Sequence, residues 1–164
     1  MAAVYAATHR IGKRVAIKIL HGLFAFDPTT RSRFAREGYV ANRVDHPGAV
    51  SVLDDDVTDD GAPFLVLELL EGETLSKRWQ RAGWRMTSAE VLAVADGLLD
   101  VLAVAHDKHI VHRDLKPDNV FIARDGSVRV LDFGIAAISG ERLNRGHTTQ
   151  PGLAIGTPSF MPPE

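Results

Sequence analysis

Strict alternation of side-chain character runs through Arg14–Leu20. Val15, Ile17 and Ile19 fall on one side of an extended chain, and Ala16, Lys18 and Leu20 on the other. A second β-type run, Ala3–Thr8, precedes it across the loop His9–Lys13, so the pattern predicts a hairpin. The period then changes. Asp27 before Pro28 is a helix start, an N-cap followed by proline at the first helical position. Phe34, Glu37, Ala41 and Val44 recur on one stripe, predicting a helix to about Arg43. His46-Pro47-Gly48 breaks the chain, and Val50–Val57 and Pro63–Leu69 read as two strands around the polar turn Thr58–Gly61.

The second half is helical in character. Glu73–Arg81 reads as a short helix, and Thr87-Ser88-Ala89-Glu90 as a capping box that opens a longer one. Val91, Ala95, Leu98, Leu102 and Ala105 form its expected inward stripe, which ends near His106–His109. Val120–Ala123 and Ser127–Leu131 bracket the turn Arg124-Asp125-Gly126 as a small hairpin. From Asp132 onward periodicity disappears, and a loop of that length inside a compact domain is usually functional.

Composition narrows the choices. With 45% hydrophobic and 24% charged residues, the 164-residue chain is neither disordered nor of low complexity. A net charge of -2 supplies no basic field for nucleic acid or an anionic membrane, so neither partner is expected. The absence of cysteine excludes disulfides, thiolate metal sites and a cysteine nucleophile, and fits a cytoplasmic location. The most apolar stretch, Val91–Ala105, is interrupted by Asp96 and Asp100 and is too short to span a bilayer.

Candidate chemistry concentrates in a few places. Lys18, on a mostly apolar strand face, needs an anion, and Glu37, an acid in an apolar helical stripe, is costly unless paired. Within six residues the chain offers Asp114, Lys116 and Asn119. These are a carboxylate able to orient a hydroxyl and take its proton, a cation for a transferred phosphoryl group, and an oxygen ligand for magnesium. Asp132-Phe133-Gly134 adds a second possible magnesium ligand, with a glycine behind it that permits a sharp turn. His106, His109 and His112 are spaced three apart, but no acid or cysteine completes a metal set.

These segments carry a resemblance. His112–Asn119 matches H-R-D-L-K-P-x-N, Asp132–Gly134 matches D-F-G, and Val15–Lys18 matches V-A-I-K. Gly156-Thr157-Pro158 and Pro163-Glu164 match the G-T-P and P-E that close an activation segment. In this order the chain resembles the Hanks-type serine/threonine protein kinases, most closely their bacterial branch.

The resemblance implies an α+β, two-lobed protein-kinase-like fold, with a small lobe over residues 1–70 and the first part of a large lobe over 71–164. It implies transfer of the ATP γ-phosphoryl group to Ser or Thr of a protein substrate, with magnesium. Asp114 and Lys116 take the catalytic roles, and Asn119 and Asp132 hold metal. Lys18, paired with Glu37, binds the nucleotide's phosphates. Val4 and Ala16 cover the adenine, Phe121 lies beneath it, and the backbone at Glu68 and Leu70 bonds it, with Leu67 as gatekeeper. His112 packs under the Phe133 ring. Arg113 would answer a phosphate on Thr148 or Thr149. Thr157 would help hold the substrate site, and is the weaker phosphosite. Two departures stand out. Met1–Tyr5 matches only the tail of the family's glycine-rich loop, and Pro162 replaces the usual alanine. The resemblance therefore implies a piece of a longer kinase, inactive by itself, the alternative being a short pseudokinase that binds nucleotide or protein.

Overall fold

A computed structural model describes residues 2–133, together with the backbone of Ala137–Ile138 and Phe160. Two strands come first, β1 (Ala2–Thr8) and β2 (Arg14–Leu20), paired antiparallel with Val4 opposite Lys18. The loop between them closes through Gly12, whose φ of 85° lies where glycine alone is unstrained. A 3-10 turn at Gly22–Ala25, not anticipated from the sequence, leads to α1 (Pro28–Val44). Asp27 caps that helix by accepting the Thr30 amide at 2.7 Å, as the Asp-Pro pair predicted.

Next come β3 (Val52–Val57) and β4 (Pro63–Glu68), which complete a four-stranded sheet in the order β1-β2-β4-β3. The expected strand from Val50 starts two residues late. Asn42 on α1 donates to the Val52 carbonyl and accepts the Val52 amide, pinning the chain beside a register shift between Val52 and Asp54. β3 is an edge strand. Asp54 and Asp56 side chains accept the amides of Asp55 and Val57, so acids occupy donors that another strand could have taken.

The predicted helix Glu73–Arg81 is shorter than expected. Gly72–Thr74 is β5, which pairs with β7 (Val120–Ala123), and α2 spans Leu75–Arg81. Gly72 is required there, since a Cβ would sit 2.1 Å from the Ile122 carbonyl. α3 (Ser88–Asp107) opens on the predicted capping box, with both Thr87–Glu90 bonds formed. Of its expected inward stripe, Ala105 is buried, Leu98 packs on the core, and Ala95 and Leu102 are partly buried, whereas Val91 is half exposed; Val101, outside the stripe, is buried. β6 (Ile110–Val111), too short to show a period, pairs with β9 (Ala137–Ile138), and β8 (Val128–Val130) pairs with β7.

The main core crosses the expected division of the chain. Val40, Ala41, Val44 and Ala49 cluster with Val101, Ala105, Ile110, Val130 and Phe133. Residues 45–50 are fastened to the later elements. Ala49 bridges Val130, the Val130 amide donates to the Gly48 carbonyl at 2.7 Å, and His46 Nε2 meets Asp100 at 3.1 Å. Lys108 donates to the Val44 carbonyl at 2.8 Å. Among the described residues no helix is long and apolar enough to cross a membrane.

Candidate active site

Strand parity puts Lys18 and Ala16 on the sheet face that looks towards α1, and the stripe on α1 turns Glu37 to meet them. Lys18 Nζ donates to Glu37 Oε1 and, at 2.8 Å, to Asp132 Oδ1. The first contact joins residues that parity and periodicity single out separately. The second was not legible, because Asp132 arrives from 114 positions away along the chain. Lys18 and Glu37 are largely buried, while the Asp132 side chain is about half exposed. One lysine charge thus faces two carboxylates. Burial pushes Glu37 up to about 7, with Lys18 pulling it down and Asp132 pushing it further up. Burial also works against the Lys18 charge, but Asp132 and Glu37 together outweigh it and hold the lysine above its usual range.

The segment 112–119 is organised by its own hydrogen bonds. His112 is buried, and its Nε2 donates to the Leu131 carbonyl at 2.8 Å while Nδ1 accepts the Asp114 amide at 3.3 Å. Its ring lies 4.9 Å from that of Phe133, centroid to centroid. Burial holds the imidazole below its usual pKa and so favours the neutral ring, and its two hydrogen bonds select the tautomer protonated on Nε2. Lys116 Nζ donates to Asp114 Oδ2 at 2.8 Å, and Asn119 Nδ2 donates to the Asp114 carbonyl at 2.8 Å. Arg113 and Asp132 have φ of 65° and 54°, left-handed values that non-glycine residues adopt at a cost and that cluster at functional sites.

These groups share a cleft. Its apolar end, about 820 Å³ of free space partly open to solvent, is lined by Val4, Ala16, Leu67, Glu68, Leu70 and Phe121, and runs to Lys18, Glu37 and Asp132. The adjoining polar end, about 800 Å³, is lined by Lys18, Glu37, Asp114, Lys116, Asn119 and Asp132, with Arg33. The apolar slot suits a flat ring, and the polar end suits an anionic tail with a hard cation held by oxygen ligands. Asn119 and the half-exposed Asp132 are the residues that could hold that cation. Arg113 is exposed. Thr148, Thr149 and Thr157 lie outside the described residues.

The protein kinase domain family matches residues 1–164. A serine/threonine-protein kinase of Myxococcus xanthus, Pkn1, is 40% identical over 100% of this chain and 23% of its own length. A probable serine/threonine-protein kinase of Streptomyces coelicolor is 38% identical over 100% of this chain and 24% of its own. PknA of Mycobacterium tuberculosis is 35% identical over 97% of this chain and 37% of its own. The chain thus spans roughly a quarter to somewhat over a third of these relatives. On its motifs, its cleft and this match over its whole length, the chain belongs to the protein kinase domain family.

Proposed function

We propose that the chain carries the catalytic centre of a serine/threonine protein kinase that moves the γ-phosphoryl group of ATP to a protein hydroxyl. The observation that carries the reading is the meeting, in one cleft, of an apolar slot, a Lys18 bonded to both Glu37 and Asp132, and an Asp114 bonded to Lys116. Asp114 orients the substrate hydroxyl and takes its proton as oxygen attacks the γ-phosphorus and the bond to the β-phosphate oxygen breaks. Lys116, already bonded to Asp114, offsets charge on the transferred group. Lys18 binds the α/β-phosphates, and Glu37 holds it in place. Magnesium, when bound by Asp132 and Asn119, neutralises phosphate charge. Residues 1–70 act as the small lobe and 71–164 as the start of the large one. The site works in the cytoplasm, where ATP and magnesium are abundant. Arg113 pairs with a phosphate placed on Thr148 or Thr149.

The test is Asp114→Asn in protein containing this chain, assayed with ATP–Mg and casein. The expected outcome is a loss of phosphoryl transfer of about 10²-fold or more, with nucleotide affinity unchanged. Unaltered turnover would refute the role of Asp114. Nucleotide binding without turnover in the parent protein would place the chain among binding modules instead.

A further inference from the structure

The chain has two tryptophans, and both stand at the end of α2. Trp79 and Trp84 meet edge to face, centroids 5.0 Å apart and planes at 81°. They remain 37% and 58% exposed, so the pair is half of a contact and not a buried core. The backbone is bent to make it. Gly83 and Trp84 both take left-handed φ, 66° and 63°, and the Trp84 amide folds back onto the Trp79 carbonyl at 2.9 Å. A bulky residue at that φ is strained, and nearby packing must sustain it.

The charge around the pair is one-sided. Residues 75–86 hold Lys77, Arg78, Arg81 and Arg85 and no acid, in a chain whose net charge is -2. Arg78 faces Glu90 and Arg81 faces Glu73. Lys77 and Arg85 are exposed and have no salt bridge among the described residues. Exposed tryptophan beside unpaired cations is the composition of a binding hot spot, and it is complementary to a chain that interleaves acids with apolar residues. The same helix packs on the 117–119 turn, so what binds its outer end is held near the cleft.

We infer that Trp79, Trp84, Lys77 and Arg85 form a docking surface for an acidic, apolar-interleaved segment of a protein partner. Given the kinase reading, that partner is the phosphorylation substrate, captured outside the cleft.

Because both tryptophans lie in this surface, tryptophan emission of the 164-residue chain reports on it alone. The probe is a tryptophan-free peptide of repeated Glu-Pro-Asp-Phe. It is compared with a Lys-Pro-Lys-Phe repeat and with phosphatidylglycerol vesicles. The expected result is a blue shift with the acidic peptide, weakened by salt and reduced about tenfold in affinity by Lys77→Glu with Arg85→Glu, which keeps both rings. In turnover assays of protein containing this chain, the acidic repeat fused to a serine substrate lowers KM and leaves kcat unchanged. Binding that is equal for the basic repeat, or indifferent to charge reversal, overturns the inference. So does a shift seen with vesicles and not with peptide, which would mark a membrane-facing patch. Peptide binding that survives a failure of all turnover counts against the kinase reading and leaves the docking surface standing.

Discussion

His112 uses its two ring nitrogens for different tasks, one donating to Leu131 and one accepting from Asp114. A protonated ring cannot accept, so the arrangement depends on neutrality. Burial lowers its pKa in the folded state, and the unfolded chain therefore binds the proton more readily. The contribution is complete above the unfolded value of about 6.5 and is lost as pH falls below it. Glu37, raised to about 7, works in the opposite direction over the same range, so the test is a difference: from pH 7.5 down to pH 5 the melting midpoint of the parent should fall relative to that of His112→Leu. His112→Leu should be less stable at pH 7.5. An unchanged difference between the two midpoints would mean that another group governs acid sensitivity. At this scale the site was partly legible. An acid in an apolar stripe and a lysine on an apolar strand announced themselves by their cost. The aromatic pair did not, because two tryptophans five apart around Ala-Gly show no period, and only a left-handed backbone brings them together.

Helix α1 packs against Leu65 and Val52 of the sheet at Gly38. A Cβ on Gly38 would lie 3.2 Å from Leu65 and 3.4 Å from Val52, tighter than ordinary contact. A glycine in the middle of a helix ordinarily costs about 1 kcal/mol relative to alanine. The structure assigns it to close packing. Gly38→Ala should therefore be nearly neutral, its helix gain offset by crowding, whereas Gly38→Val should cost about 1–3 kcal/mol. Val should also lift α1 away from Lys18, measurable as weakened ATP binding in chemically stable protein. Elements with strong local signals were legible, among them the capping box of α3 and the β1–β2 hairpin. β5 and β6 were not, since strands of three and two residues exist only because distant partners, β7 and β9, pair with them. The start of β3 is likewise set by Asn42 across a tertiary contact.

Across the whole molecule, the two halves meet at Gly48. A Cβ there would lie 2.2 Å from Val101 Cγ2, so even alanine cannot be placed without moving Val101. Gly48→Ala should cost about 1–3 kcal/mol by overpacking. Val101→Ala should also destabilise, by opening a cavity. Together they should cost less than their sum, with a coupling of about 0.5–3 kcal/mol in denaturant titrations. Strict additivity would show that the contact is relaxed elsewhere. Nothing in His46-Pro47-Gly48 reveals this, because the residue that forbids a side chain there lies in a helix predicted to present other positions inward.

The core shared by α1, α3 and β8 also has a consequence during synthesis. Val44 is made early, but Val130, in the same cluster, follows 86 residues later. At roughly 5–20 residues per second, the second half of α1 waits about 4–17 s for Val130. Until Val101, Ala105 and Ile110 are made, Val40, Ala41 and Val44 have only Ala49 and the small sheet beside them. The nascent chain is then most open to chaperone capture, and slowing translation after residue 50 lengthens that window without changing the finished protein.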